Sequence, residues 1–383
     1  MAENRSWKHA LLLTLTALIW GVAFVAQTEG SRFMGSSTFT GLRFLIAAAA
    51  LYPFIWLGGR RRGRRGAVMD GGLDGGTGSG PDGGLDGGLD GGLAGRLAGG
   101  LDCGLDSGLD GRSDGGSDGG SDGGRAGWRA GGNAALWRSG TVLGILLCIA
   151  SLLQQEGIAL GASAGKAGFI TATYIVLVPV LSLIVFRKKT RPVIWIGVAI
   201  ALAGLYLLCL NRAELSLHLS DVLLILCALA YAFQILAIDR YSPRFDALKL
   251  SAIQFLTCGI LASLVMVFAD IRPVGLSAWA APFASWGAWI PLLYAAILSS
   301  AVGYTLQIVG QKGLNPTVAS LLMSLESVFA ALAGWLLLRQ HLTPRELLGC
   351  ALVFVAVLLA QLPAPKRSSA PKRSSAPNRS SAE

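Results

Sequence analysis

Charged residues are scarce in this 383-residue sequence, and they are rarest in its long apolar stretches. Asp, Glu, Lys and Arg make up 14% of the residues, whereas a soluble globular chain carries roughly 25%. Of the 22 acidic residues, 11 are Asp between Asp70 and Asp122, and only Glu156 and Glu326 lie well inside hydrophobic runs. This distribution excludes an ordinary soluble domain and predicts a chain built for the lipid bilayer.

The sequence also lacks the residue groups that catalysis or metal binding would need. It has no HExxH motif, no paired Asp within an apolar run and no phosphate-binding loop, and its three His lie in loops or at the ends of apolar runs. The six Cys show no CxxC spacing and no nearby His, so neither a disulfide nor a metal site is expected. We therefore predict no enzyme activity, no metal and no cofactor.

The net charge of +10 does not indicate a nucleic-acid partner. The basic residues form short clusters between apolar runs rather than one basic face on a soluble domain. Anionic lipid at the basic loops and tail is the simpler partner. The sequence allows a homodimer but does not require one.

Ten apolar runs of about 17–25 residues predict an all-α membrane protein with ten transmembrane helices. The predicted spans are 10–27, 37–57, 140–160, 167–186, 192–210, 220–238, 247–269, 286–308, 315–338 and 345–362. The first run has basic flanks and resembles a signal peptide, but nine further spans and the lack of a clear cleavage site favour an uncleaved helix.

The distribution of Lys and Arg predicts the orientation of these spans. With the N-terminus inside, 25 of the 32 basic residues lie in cytoplasmic segments, six lie outside and Arg43 lies within a span. Because cytoplasmic loops carry an excess of Lys and Arg, we expect a multi-pass protein of the cell membrane with both termini in the cytoplasm.

An internal repeat relates the two halves of the chain at a fixed offset of 152 residues. The informative pairs are polar or conformationally special residues: Gln155/Gln307, Gly161/Gly313, Arg187/Arg339, Pro192/Pro344 and Gly197/Gly349. Each half then contains five spans, and an odd number forces the second copy to enter the membrane from the opposite side. The sequence therefore predicts two inverted five-helix repeats with a substrate site between them near mid-membrane.

Two low-complexity segments interrupt or follow this scaffold. We expect residues 58–138, which are rich in Gly and Asp, to form a disordered cytoplasmic loop. This loop separates residues 1–57, with the first two spans, from residues 139–210, with spans three to five. Calcium binding is less favoured, because the Asp residues recur every four positions rather than in a nine-residue period. The second repeat occupies 219–362, and 363–383 is predicted to be a disordered basic tail.

Polar residues inside the spans are the candidates for a substrate site, because such groups usually face a cavity or another helix. The candidate substrate-binding residues are Trp20, Arg43, Gln155, Tyr174, Tyr231, Gln234, Gln254, Tyr304, Gln307 and Glu326. Glu326 stands out in the middle of span nine. It could contact substrate or couple transport to protons, or it could be a structural carboxylate bonded between helices.

Several segments resemble the drug/metabolite transporter superfamily, EamA type. Residues 163–179 and 319–338 resemble its signatures in spans four and nine, and Leu42-Arg43-Phe44 resembles its motif in span two. The sequence departs from the family pattern at Ser327, where Pro is common, and at 339–341, where a Gly-Glu pair is usual. The resemblance implies a ten-helix carrier for small metabolites, often amino acids or related compounds.

We therefore expect a secondary transporter that moves a small metabolite across the cytoplasmic membrane by alternating access, with export as the expected direction. No phosphate-binding loop or soluble domain suggests ATP-driven transport. The alternative is a membrane sensor or scaffold without transport activity. The sequence leaves the substrate and the coupling ion open.

Overall fold

The computed structural model describes residues 2–70, 123–162, 164–187, 191–209, 218–338 and 343–361, and every regular element in these ranges is helical. The α-helices are α1 (Ala2–Gly30), α2 (Ser36–Asp70), α3 (Gly123–Ala159), α4 (Ala164–Ala172), α5 (Tyr174–Phe186), α6 (Pro192–Cys209), α7 (Leu219–Tyr241), α8 (Ala247–Met266), α9 (Arg272–Val274), α10 (Leu276–Ala280), α11 (Trp286–Leu293), α12 (Thr305–Gln311), α13 (Pro316–Met323), α14 (Leu325–Leu338) and α15 (Pro344–Gln361). Two π-helical segments, Val267–Ile271 and Tyr294–Tyr304, continue α8 and α11.

Eight helical stretches of the described chain are long and apolar enough to cross a membrane. They are Trp7–Gly30, Ser36–Leu57, Asn133–Ala159, Lys166–Val185, Leu219–Arg244, Ala247–Val274, Trp286–Gln311 and Pro316–Ala333. They coincide with eight of the ten predicted spans, which confirms an all-α membrane protein. The predicted spans 192–210 and 345–362 coincide with α6 and α15. These two helices are not among the eight stretches, so the count of ten stays a prediction.

Contacts divide the chain into two compact units, Met1–Trp56 with Asn133–Glu383, and Leu57–Gly132. The loop predicted over 58–138 is helical at both ends, because α2 continues to Asp70 and α3 begins at Gly123. Residues 71–122 and the predicted tail over 363–383 lie outside the described residues, and their disorder stays a prediction. The features below belong to the first unit.

Two of the spans are broken in the middle by a residue with a hydroxyl group. Thr173 separates α4 from α5, and Ser324 separates α13 from α14. The Thr173 hydroxyl donates to the Ile170 carbonyl at 2.6 Å, and the Ser324 hydroxyl donates to the Leu321 carbonyl at 2.8 Å. In each break the hydroxyl therefore donates to a backbone carbonyl that would accept a backbone N–H in a continuous helix. Backbone polar groups at lipid depth need such a partner within the protein.

The turn before each broken span depends on a glycine. Gly161 has a φ of +94° and Gly313 has a φ of +79°, a region that residues with a Cβ rarely occupy. The two broken spans therefore begin in the same way as well as breaking in the same way.

Helices α6 and α15 cross each other at two glycines. A Cβ on Gly204 would lie 2.8 Å from the Gly349 carbonyl oxygen, and a Cβ on Gly349 would lie 2.6 Å from the Gly204 carbonyl oxygen. A second contact joins Gly197 to Ala356, where the corresponding distance to the Ala356 carbonyl oxygen is 3.3 Å. Small residues allow this close approach of two membrane helices.

Helix α1 packs against α12, α13 and α14 and thereby brings the first span of the chain beside the second broken span. The approach is closest at Gly21, where a Cβ would lie 2.7 Å from the Glu326 carbonyl oxygen. The result is that the start of α14 lies between α1 and the first broken span, at the centre of the buried core.

Candidate functional site

A small cavity lies in the core of the helical bundle, where the two broken spans meet α1, α3, α7 and the segment that follows α11. Its lining consists of Trp20, Phe24, Gln27, Gln154, Thr171, Tyr174, Tyr231, Ile235, Ser299, Tyr304, Gln307, Met323 and Glu326. The cavity volume is about 30 Å³, which is room for one or two water molecules. Its wall combines aromatic rings, amides, hydroxyls and a single carboxylate.

The contact between Tyr174 and Glu326 joins the two broken spans. The Tyr174 hydroxyl donates to Oε1 of Glu326 at 3.1 Å, and the two residues are 152 positions apart. Tyr174 is the first residue of α5 and Glu326 the second residue of α14, and both are buried. The carboxylate therefore lies in the first turn of a helix, where the dipole of the helix stabilises negative charge.

Three aromatic residues form one wall of the cavity. The hydroxyls of Tyr231 and Tyr304 are 3.1 Å apart, and the ring centroids of Trp20 and Tyr304 are 4.7 Å apart. The Trp20 indole N–H donates to the carbonyl of Ser299 at 3.1 Å, and the Tyr231 hydroxyl donates to Oε1 of Gln154 at 3.4 Å. These bonds and ring contacts hold the three side chains in place in the cavity wall.

Two amide side chains complete the polar part of the wall. Nε2 of Gln154 donates to the Thr171 hydroxyl at 3.5 Å, and Nε2 of Gln307 donates to Oε1 of Gln234 at 3.3 Å. Oε1 of Gln307 is buried and has no hydrogen-bond partner among the described residues. An unpaired buried acceptor is costly, so this oxygen is available for a donor from a ligand.

The structure brings six of the ten predicted site residues together in the cavity wall. They are Trp20, Tyr174, Tyr231, Tyr304, Gln307 and Glu326. Gln234 lies behind the wall and fixes Gln307, and Gln155 is buried outside it, where Nε2 donates to the Gln27 carbonyl at 3.1 Å.

Arg43 and Gln254 are buried but do not line the cavity. The guanidinium carbon of Arg43 is 4.6 Å from the centroid of the Phe44 ring, a distance typical of a cation–π contact. The Phe44 ring is in turn 5.9 Å from that of Tyr304, which does line the cavity. Both amide atoms of Gln254 lack a hydrogen-bond partner in the described part of the chain.

The cavity also contains residues that were not among the predicted candidates. Gln27 is seven positions after Trp20, and Thr171 is three positions before Tyr174, so helical spacing could have identified both. Gln154 is adjacent to the predicted candidate Gln155 on the same span. The apolar lining residues Phe24, Ile235 and Met323 carry no sequence signal that distinguishes them from core residues.

No group of three or more His, Cys, Asp or Glu in the described ranges could hold a metal ion. A bundle of membrane-length helices around a polar cavity, walled by both halves of one chain, defines a polytopic membrane protein. The model of the EamA-like transporter family matches residues 7–73 and 218–362. This is more than half of the sequence, and the chain belongs to that family. It is a membrane transporter rather than an enzyme, as the resemblance of its motifs implied.

Three curated relatives support this assignment. An uncharacterized transporter of Archaeoglobus fulgidus is 28% identical over 227 residues, which are 59% of this chain and 69% of the relative. The threonine/homoserine exporter RhtA of Escherichia coli K12 is 29% identical over 195 residues, 49% of this chain and 61% of RhtA. The uncharacterized transporter YwfM of Bacillus subtilis is 26% identical over 222 residues, 56% of this chain and 68% of YwfM.

A solved structure has the same fold. One crystal structure superposes with a TM-score of 0.59 and covers 92% of this chain and 96% of its own. The sequences are 15% identical, so the likeness concerns the fold alone.

Proposed function

We propose that the chain is a secondary transporter that exports a small metabolite, an amino acid or a related compound, by alternating access. The bound metabolite would occupy the cavity around Tyr174 and Glu326. The observation that carries the proposal is the buried Glu326 carboxylate, which is bonded across the two halves of the chain. A carboxylate is costly at lipid depth and is usually retained there for a function.

The pattern of contacts supports two halves related by an inverted repeat. Adding 152 to Gly197 gives Gly349, and adding 152 to Gly204 gives Ala356, so the repeat exchanges the Gly197–Ala356 contact with the Gly349–Gly204 contact. The Tyr174–Glu326 contact is exchanged with itself. Such pairs are expected on a two-fold axis, which is where transporters of this type bind their substrates.

The size of the cavity supports alternating access rather than a permanent channel. A volume of about 30 Å³ has room for one or two water molecules, which is far less than an amino acid requires. Substrate binding in this cavity therefore needs a movement of the surrounding helices.

The six predicted residues in the cavity wall are proposed to contact substrate directly. Glu326 would accept from a substrate ammonium group or carry the coupling proton, and Gln307 would accept a further hydrogen bond through its unpaired Oε1. Arg43, Gln155, Gln234 and Gln254 would reach the substrate only after the helices move. The orientation with both termini in the cytoplasm, the binding of anionic lipid and a homodimer stay predictions.

Counterflow in liposomes tests the proposal. Liposomes that contain the purified chain and are preloaded with an unlabelled amino acid should accumulate the same compound in labelled form. Glu326→Gln should alter that accumulation. A panel of all common amino acids and related hydroxy and amino compounds gives the assay its breadth. No counterflow for any compound, with protein that is folded and inserted, would contradict the proposal and favour the sensor or scaffold alternative.

A further inference from the structure

A buried ion pair joins the two halves of the chain at one end of the bundle. Nζ of Lys166, in the first turn of α4, is 2.8 Å from Oδ2 of Asp221, in the first turn of α7. The two side chains are only 9% and 2% exposed. Oδ2 of Asp221 also accepts the His218 backbone N–H at 2.9 Å, which fixes the orientation of the carboxylate. This end is called the Lys166 end below, and the opposite end, near the start of α1, is called the His9 end.

The ion pair and the cavity are connected through helix α4, which carries residues of both. Thr171, in the cavity wall, follows Lys166 on the same short helix. An apolar layer is formed by side chains from α1, α3, α4, α7 and the turn after α3, on the same helices that carry the ion pair and part of the cavity wall. The layer consists of Phe24, Ile158, Ala162, Ala167, Ile170 and Leu224.

The same junction exists at the His9 end. A Cβ on Gly157 would lie 2.9 Å from Leu224 and 3.2 Å from the Ser220 carbonyl oxygen. A Cβ on Gly310 would lie 2.9 Å from Leu13 and 3.3 Å from the His9 carbonyl oxygen. Leu224 and Leu13 are 211 positions apart, as are Ser220 and His9, whereas Gly157 and Gly310 are 153 apart, one more than the repeat offset. The two junctions are therefore similar, with a shift of one residue on the glycine side.

The two junctions differ in their chemistry. The offset of 211 places Ala10 where the Lys166 end has Asp221, and the offset of 152 places Val318 where it has Lys166. Ala10 and Val318 are half-buried and pack against the main apolar core. The His9 end therefore has apolar side chains at these two positions, beside a polar contact in which Nδ1 of His9 lies 3.1 Å from the Val309 carbonyl oxygen. The Lys166 end has a buried charge pair instead.

A second polar contact across the halves lies at the Lys166 end. Oδ2 of Asp270, after α8, accepts from the Thr38 backbone N–H at 2.6 Å and from the Thr38 hydroxyl at 2.7 Å. The Trp279 indole N–H donates to the same hydroxyl at 2.9 Å. Carboxylates of the second half thus hold the first half at two points of one end.

We propose that the Lys166–Asp221 ion pair is a latch that keeps the Lys166 end of the transport path closed and must separate in each cycle. Separating a buried pair in a dry interior is unfavourable unless water enters with it, so the latch opens only when the apolar layer below it also parts. The inference rests on the proposed function, because a latch has a role only if the cavity opens alternately to the two ends.

Cysteine accessibility tests the latch without a known substrate. Thr171→Cys, in a full-length background whose six native cysteines are replaced by Ser, reports access to the cavity. A membrane-impermeant maleimide is applied to intact cells and, separately, to inside-out vesicles. The variant Lys166→Gln removes one charge and leaves the hydrogen bond from the His218 backbone N–H to Asp221 in place.

Lys166→Gln should raise the labelling rate from one side of the membrane by about tenfold, as expected if the pair biases the closed state by that factor, and should not raise it from the other side. Asp221→Asn should act in the same direction and carries the test if Lys166→Gln does not fold. The charge reversal Lys166→Asp with Asp221→Lys should return labelling towards that of the parent.

The matched control is the exposed ion pair Glu29–Arg32 at the same end, with an N–O distance of 3.0 Å and side chains 45% and 68% exposed. Glu29→Gln should leave labelling unchanged, because exposed pairs contribute little. Unchanged labelling in both folded latch variants, or an equal rise from both sides, would overturn the latch. Absent counterflow together with the expected one-sided labelling would instead contradict only the proposed transport.

Discussion

The broken span α4–α5 and the broken span α13–α14 share a backbone plan but carry different chemistry. Each follows a glycine of positive φ, each breaks at a hydroxyl residue, and each places one buried side chain in the cavity wall within two residues after the break. In the first span that side chain is the phenol of Tyr174, and in the second it is the carboxylate of Glu326. The two broken spans thus supply positions 152 residues apart that contact each other, and their side chains divide the roles of donor and acceptor.

The largest expected effect comes from moving the carboxylate between the two copies. Glu326→Gln should lower the initial rate of counterflow by about tenfold or more, the size expected when a hydrogen bond to a charged group, worth about 1.5–3 kcal/mol, is lost. The exchange Tyr174→Glu with Glu326→Tyr should recover part of this rate, because the two positions contact each other. An exchange variant that is folded but as slow as Glu326→Gln would show that the positions are not equivalent.

The crossing of α6 and α15 sharpens the comparison with a difference in stability. Gly349→Val should destabilise the protein by about 1–3 kcal/mol, the usual cost of overpacking, because its Cβ would meet the Gly204 carbonyl oxygen at 2.6 Å. The repeat-related Gly197→Val should cost less, since the corresponding distance is 3.3 Å. Thermal unfolding in detergent, followed by tryptophan fluorescence, measures both.

Gly168→Ala is the control for this pair, because a Cβ there would lie 3.8 Å from the nearest atom, Oγ of Ser327. It should not lower the unfolding temperature. Equal losses for Gly349→Val and Gly197→Val would contradict the difference in spacing between the two contacts.

The smallest expected effect tests the similarity of the two copies. Gly161→Ala and Gly313→Ala should each destabilise the protein by about 1 kcal/mol through backbone strain. No atom lies within 4 Å of a Cβ at either position, so crowding adds nothing. Asn, which tolerates a positive φ, should cost less than Ala at both sites. Losses that differ clearly between the two sites in the same thermal assay would limit the similarity to the geometry.

The sequence predicted the spans well because each is a continuous apolar run whose length is set by the bilayer. It predicted Tyr304 and Gln307 in the cavity because helical spacing places them on one face of their span. It could not separate them from Gln254, since a pattern along one helix does not say how that helix is rotated against its neighbours. The sequence could not identify Phe24 and Met323 for a different reason. Apolar residues that line a cavity have the same composition as apolar residues of the core.

The residues of the latch and of the Asp270–Thr38 contact were missed for a third reason. Asp221 and Asp270 lie at the ends of predicted spans, where a carboxylate is as often exposed to water as it is bonded to another residue. Lys166 was placed in a short loop for the same reason. They are buried or half-buried because α4 approaches α7 and α2 approaches the segment after α8. These approaches bring together residues that are far apart in the sequence.

If the buried charge pair at the Lys166 end acts as the proposed latch, it makes the two open forms of the empty carrier unequal in population. That inequality cannot by itself concentrate a compound, because a bias between two states adds nothing to the energy of a gradient. It acts on affinity instead: the side that opens less often binds with an apparent dissociation constant raised in proportion to the rarity of its open form. The empty carrier would then be more receptive from the His9 end than from the Lys166 end, whatever its cargo.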